Sequence, residues 1–260
     1  MFAAAHRGGS GPPLVLVHGF TDTWRTWELV LPQLERRHDV LAPTLPGHAG
    51  GPSLVDLDPA TLADGVERAL DEAGFETAHI VGNSLGGYVA LQLAERGRAR
   101  SVVAFAPAGG FVDGQAHHRE MAEHFTTLHG LATAASPRAD AIASTDDGRR
   151  RATRYITERH QHIPADLIAH QIRGVAGCDA AALIELAGSD GFPLDADRID
   201  CPVRIVWGAD DKILAWPDGA ARYRSELPYA DWVVLDGVGH CPQLDVPLEA
   251  AELILGFTSG

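Results

Sequence analysis

The chain has 260 residues, 45% hydrophobic and 22% charged, the composition of a globular protein with core enough for one large α/β domain or two small ones. Its 35 acidic against 21 basic residues give a formal charge of −14, which repels phosphate backbones and anionic lipid surfaces and excludes nucleic acid as an expected partner. The three cysteines, Cys178, Cys201 and Cys241, are far apart and odd in number; they fit neither a disulfide framework nor a zinc site and point to a reducing, cytoplasmic setting.

From Met1 to Arg7 the apolar run is too short, and the charge order wrong, for a signal peptide; no later run reaches membrane-spanning length, so a membrane is not an expected partner. Phe2 to Arg7 reads as a short edge strand. After the turn Gly8 to Pro12, Leu14-Val15-Leu16-Val17 is the continuous apolar run of a buried parallel strand, ending at His18-Gly19-Phe20. Trp24, Trp27, Leu31 and Leu34 then recur at helical spacing, with Thr21, Asp22 or Thr23 as cap. His38 to Pro43 reads as a strand, Leu45 to Ser53 as a loop of turn residues, and Pro59 to Ala73 as a helix with Leu62, Val66 and Leu70 on one face.

Next comes an apolar strand, the turn Gly82-Asn83-Ser84-Leu85-Gly86-Gly87, and a helical pattern. A turn this tight admits only glycine two positions before and two after its serine, so the hydroxyl of Ser84 projects away from the backbone and is a candidate nucleophile. Ser101 to Ala106 is a further strand. From about Ala108 to Gly191 no strong strand follows, and the patterns read as several helices. The strand rhythm resumes with Val203 to Trp207, ending in Gly208-Ala209-Asp210-Asp211. Pro217 to Leu227 reads as a helix, Trp232 to Leu235 as a strand leading to His240, and Pro247 to Phe257 as a last helix. Alternating strands and helices predict an α/β fold with a mostly parallel, doubly wound sheet. Residues 1–107 and 192–260 form its core, and 108–191 are a helical insertion.

In an open parallel sheet, ligands bind beyond the carboxyl ends of the strands. His18-Gly19-Phe20, Ser84, Asp210-Asp211 and His240 all fall at such ends, in the order serine, acid, histidine. On these residues, and on Gly237-Val238-Gly239-His240, the chain resembles the α/β-hydrolase family in its form with a helical cap inserted late in the sheet. The likeness covers nearly the whole chain. Two positions depart from it: Thr44 stands where the family often has aspartate, and about a strand's length is missing before His18, so the first strand is expected to be absent or short.

The resemblance implies a serine hydrolase acting on a small-molecule carboxylic ester through an acyl-enzyme, with Ser84, Asp211 and His240 as triad. In these roles His240 is general base and then general acid, and the carboxylate holds its tautomer and stabilises the imidazolium. Asp211 matches the family position, with Asp210 as the rival. The backbone N–H groups of Phe20 and Leu85 are the implied oxyanion donors. Trp24, Phe111, Phe125 and Leu214, near Phe20 and Trp27, are expected to line the substrate pocket. No cofactor is needed, and no metal is expected: the histidines at 117, 118, 160, 162 and 170 are scattered by the helical reading, without acidic or cysteine ligands at matching spacing.

His18 is expected to hydrogen-bond its own loop, Arg149-Arg150-Arg151 to be a solvated face, and Cys241 to pack. Within the class a lactone or carbon–carbon bond hydrolase is the alternative, although relatives cleaving ring-fission diketones usually carry tryptophan where Cys241 stands. Epoxide hydrolase and haloalkane dehalogenase chemistry is disfavoured, because such relatives have aspartate at the apex. From a different class, a ligand-binding receptor of low turnover would keep the same fold. The oligomeric state is not legible.

Overall fold

The computed structural model describes residues 2–54, 58, 60–112, 114–189 and 192–258. Met1, Pro59, Gly191 and Gly260, which bound segments anticipated above, lie outside them. In chain order, β1 (Ala5–Gly9), β2 (Pro13–Val17) and β3 (Asp39–Pro43) come first, and β4 (Ala78–Asn83) and β5 (Ala99–Phe105) flank the central helix α3 (Leu85–Glu95). After a helical stretch, β6 (Val203–Gly208) and β7 (Asp231–Leu235) complete the seven-stranded sheet, ordered β1-β3-β2-β4-β5-β6-β7. Only β1 runs antiparallel, pairing His6 with Ala42 at the edge, and the other neighbours are parallel.

Strands β2 and β4 are buried on both faces, β2 as an unbroken apolar run and β4 around Ile80 and Val81. One face is covered by α2 (Thr61–Ala73), which buries Leu62, Val66 and Leu70, and by α3, where Tyr88, Leu91 and Leu93 join the same core. Gly74 ends α2 at φ 78°, donating back to Leu70 and Asp71, the left-handed stop that glycine makes without a steric cost. On the opposite face Trp27, the short α1 (Leu31–Leu34) and α11 (Pro247–Thr258) enclose Leu14, Leu16, Val81 and Phe105. Among the described residues no helix is long and apolar enough to cross a membrane.

Three local expectations shift. The edge strand begins at Ala5 rather than Phe2 and runs on to Gly9, so a first strand is present but only five residues long. The helix expected over Trp24 to Leu34 is two pieces, a 3-10 turn at Trp24–Trp27 and then α1; Pro32 in the first turn of α1 has no N–H to continue a helix from upstream. Of the three possible caps Thr23 serves, its hydroxyl accepting from the Arg25 N–H at 3.3 Å. The segment Pro217 to Leu227 likewise divides into a 3-10 turn at Asp218–Ala220 and α9 (Ala221–Glu226).

Between β5 and β6 the chain forms α4 (Gly114–Ala135), α5 (Ala139–Ala143), α6 (Asp146–Thr153), α7 (Ala165–Ala176) and α8 (Ala180–Ser189). Ala139, Ile163, Leu167 and Ile168 of this stretch share a core with Cys241 and with Leu244 of the short α10 (Pro242–Asp245). That core ties the helices to the loop carrying His240.

Candidate active site

Strand β4 delivers the chain to a turn whose apex, Ser84, sits at φ 56°, ψ −119°. For a residue with a side chain this conformation costs about 1–3 kcal/mol and persists only where its surroundings enforce it. The flanking glycines explain the enforcement. A Cβ on Gly82 would lie 2.0 Å from the Gly86 carbonyl oxygen, and one on Gly86 would lie 2.1 Å from Val17 O and 2.5 Å from His18 O. The Ser84 N–H donates to Phe105 O at 2.8 Å, and its carbonyl accepts from Ala108 at 3.0 Å and Tyr88 at 3.1 Å. Leu85 opens α3, so its N–H belongs to the first turn, whose donors have no partner within the helix.

At the other end of the site, β6 and the loop after β7 meet backbone to backbone: a Cβ on Gly208 would lie 2.2 Å from Gly239 O and 2.3 Å from Val238 O. This contact sets the acid against the histidine. Asp211 Oδ2 lies 2.7 Å from His240 Nδ1, while Oδ1 accepts the N–H groups of Ile213 and Leu214 at 2.8 Å each. A carboxylate there requires Nδ1 to carry the ring proton and leaves a lone pair on Nε2. Both side chains are almost wholly buried. The rival Asp210 is exposed, and its N–H donates to Val238 O.

Ser84, Phe20, Phe125 and Ile213 line two adjoining cavities. The first, about 720 Å³, adds Leu85, Phe111, Met121, Phe192 and Leu214; the second, about 780 Å³, adds His240, Asp22, Ile156, Gln171 and Ile172. Phe111, Phe125 and Leu214 therefore lie where a substrate pocket was expected. Trp24 does not: its ring stacks on His6 at 5.1 Å and packs against the core beneath α11, and Trp27 is fully buried in that core. The reason is the edge strand, which carries His6 over the indole of Trp24.

His18 Nε2 accepts the Leu45 N–H at 2.9 Å, so Nδ1 donates to Gly19 O at 2.8 Å. Burial, then the neighbouring His48, holds its pKa well below the ordinary value, so the ring stays neutral and braces the strand-end loop. His160, His162 and His170 have separate partners in Asp146, the Leu244 carbonyl and Thr23. Among the described residues no group of His, Cys, Asp and Glu could hold a metal ion. Arg150 and Arg151 both pair with Asp147 on an exposed face.

Several site residues escaped the sequence reading. Asn83 Nδ2 donates to the His240 carbonyl at 3.0 Å and to Phe105 O at 3.2 Å, while its oxygen accepts from Gln243 at 3.1 Å and Cys241 Sγ at 3.2 Å. Asp245, buried, accepts the N–H groups of Gly239, Glu158 and Arg159 at 2.7, 2.9 and 2.7 Å, clamping the His240 loop to the segment before α7. Asp22 is the third, its carboxyl pushed up to about 6 by burial. Asn83 lay inside the quoted motif; the two acids carried no signal of spacing.

A family model described as the alpha/beta hydrolase family matches residues 14–253. The chain is 33% identical over 204 residues to epoxide hydrolase EphH of Mycobacterium tuberculosis, covering 77% of this chain and 95% of that protein. It is 28% identical to the pimeloyl-[acyl-carrier protein] methyl ester esterase of Aromatoleum aromaticum, covering 96% and 99%. The enol-lactonase from Burkholderia xenovorans LB400 has a similar fold, with a TM-score of 0.75 at 19% identity over 98% of this chain and 96% of that one.

Proposed function

Since the chain belongs to the alpha/beta hydrolase family, we propose that it is a serine hydrolase that cleaves small carboxylic esters through an acyl-enzyme. His240 Nε2 takes the proton of Ser84 as its oxygen attacks the ester carbonyl, and the N–H groups of Phe20 and Leu85 receive the developing oxyanion. The imidazolium, stabilised by Asp211, protonates the departing alkoxide; water then repeats the sequence on the acyl-enzyme. The observation that carries this reading is the 2.7 Å contact between His240 Nδ1 and Asp211, beside a serine held at φ 56° and lining the same cavity as His240.

The name of the mycobacterial relative raises epoxide opening. A serine oxygen attacking an epoxide carbon forms an ether, which water does not cleave under these conditions, whereas a carboxylate nucleophile forms a hydrolysable ester. Ser84 at the apex therefore favours acyl transfer. Helices α4 to α8, within 108–191, serve as the cap over the site, supported by Phe125 and Met121 of α4 and Ile172 of α7, which line the cavities. Three free cysteines favour a reducing compartment, the cytoplasm.

A panel of p-nitrophenyl esters of rising acyl length, assayed with wild type and Ser84→Ala, tests the proposal. Turnover on at least one ester, lost in Ser84→Ala together with labelling by a serine-reactive phosphonate, is expected. No Ser84-dependent turnover and no labelling would refute it in favour of a binding protein.

A further inference from the structure

Phe20, the proposed source of one oxyanion N–H, precedes a strained residue. Thr21 sits at φ 62°, a region that a β-branched residue enters only where its surroundings enforce it. The turn lies against the nucleophile: a Cβ on Gly19 would stand 3.2 Å from Ser84 Cβ. It is closed by the Asp22 N–H donating to Gly19 O at 3.3 Å and the Thr21 hydroxyl donating to Phe20 O at 2.7 Å. Both bonds are internal to the turn, and what fixes it from outside is α7.

One face of α7, at positions 166, 170 and 174 with the adjacent 171, grips this turn and the residues after it. Asp166 pairs with Arg25 at 3.0 Å, and His170 Nε2 and the Thr23 hydroxyl share a hydrogen bond of 2.9 Å. At Gly174 the helix backbone comes so close that a Cβ there would touch Thr23 Cγ2 at 3.4 Å. The buried Gln171 side chain hydrogen-bonds the carboxyl of Asp22, which also accepts the Thr23 N–H at 2.8 Å and the Thr26 hydroxyl. Thr26 in turn accepts from Gln243 at 3.2 Å, Gln243 donates to Asn83 at 3.1 Å, and Asn83 holds the His240 carbonyl. A single carboxyl therefore joins a helix of the 108–191 stretch to the turn that presents Phe20 and, through three side chains, to the loop of His240.

On the serine hydrolase reading, we propose that Asp22 and Gln171 are positioning residues for the oxyanion donor: through them α7 holds the strained turn, and with it the Phe20 N–H, where the transition state needs it. Both act through the turn rather than on the reacting atoms. The tetrahedral oxyanion depends on that N–H far more than the ground-state ester does, so loosening the turn lowers kcat and leaves KM nearly unchanged.

The test is Gln171→Met, which keeps the side-chain length and removes the amide, with Gln171→Leu as a second variant. On p-nitrophenyl butyrate each is expected to lower kcat about tenfold or more, part of the roughly 10²–10³-fold that loss of a whole oxyanion donor costs, with KM within about threefold of wild type. Inhibition by phenylboronic acid, whose adduct with Ser84 places an oxygen where the oxyanion forms, is expected to weaken in parallel. In a Thr21→Gly background, where φ 62° is free of strain, Gln171→Met is expected to cost about threefold or less in kcat. If both Gln171 variants keep kcat within about threefold of wild type, with Ser84-dependent turnover intact, the inference is overturned and the hydrolase reading stands. An equal loss in both backgrounds, or a loss of kcat with boronate inhibition unchanged, overturns it likewise. Absence of turnover on every ester, with no phosphonate labelling of wild type, removes the hydrolase reading and this inference with it.

Discussion

Replacing Asp211 by asparagine separates charge from shape at His240, because the carboxylate makes three hydrogen bonds in two directions. Oδ1 accepts from Ile213 and Leu214 N–H at 2.8 Å, and Oδ2 faces His240 Nδ1 at 2.7 Å. An asparagine amide has two orientations. With its NH2 toward the two backbone donors it leaves both unpaired in a buried site, at about 1–3 kcal/mol each. With its oxygen there, both bonds survive and the NH2 faces Nδ1. The second orientation therefore wins by at least about 2 kcal/mol, roughly thirtyfold in population.

That orientation makes Nδ1 an acceptor and moves the ring proton to Nε2, which then has no lone pair for the proton of Ser84. The same tautomer trap in a trypsin-type triad costs about 10⁴-fold in kcat. Asp211→Asn is expected to lose about 10³–10⁴-fold in kcat for p-nitrophenyl butyrate, with a melting temperature within a few degrees of wild type because the backbone bonds persist. Asp210→Asn, at an exposed position, is expected to keep full activity. A folded Asp211→Asn protein with kcat within tenfold of wild type would refute this account of the acid.

Gly86→Ala is expected to lower unfolding free energy by about 1–3 kcal/mol in urea titrations, since its Cβ would stand 2.1 Å from the Val17 carbonyl oxygen; a variant as stable and active as wild type would contradict the close-contact explanation of the turn. Iodoacetamide at pH 8 is expected to leave Cys241 unlabelled in the folded protein, because burial first and three nearby carboxylates next push its thiol well up; labelling at the rate of a free thiol would contradict this. Stability is expected to fall on acidification from pH 7 to 5. Burial lowers His48, His79 and His170 to about 4, so between about 6.5 and 4 the unfolded chain binds their protons and the folded one does not. Asp22, raised to about 6, acts oppositely, since its folded form holds a proton that the unfolded form has lost. His18, held well below its ordinary value by burial, adds to the three, so the histidines outweigh the one carboxyl and the urea midpoint is expected to be lower at pH 5 than at pH 7; equal midpoints would count against it.

The strands were legible because most of their residues are buried on both faces: β2 stands in the sequence as an unbroken apolar run, and β4, β5 and β6 carry apolar stretches at Ile80-Val81, Val102 to Phe105 and Ile205 to Trp207. The serine turn was legible for a related reason: Gly82 and Gly86 are required by backbone approach, and glycine at fixed offsets leaves a visible mark. Burial separates Asp210 from Asp211, two identical side chains one position apart, of which Asp211 turns inward. Asp245 was illegible because a lone polar residue acquires its role from partners distant in the chain, here the amides of Glu158 and Arg159. Trp24 went astray for the same reason, its neighbour being His6 of the edge strand. Pro32, by contrast, was in view, and its break in the Trp24 to Leu34 pattern follows from local chemistry alone.

Phe20 has two attachments. Its backbone N–H sits at the strand end beside Ser84, and its ring meets Phe125 of α4 edge-on with centroids 4.5 Å apart. A guest bulky enough to push α4 outward therefore also tugs on the amide proposed to receive the oxyanion. In such a molecule size selection and turnover are not independent variables: an oversized acyl group would be penalised in kcat even after it had bound, and enlarging the chamber at Phe125 would alter reaction speed along with affinity.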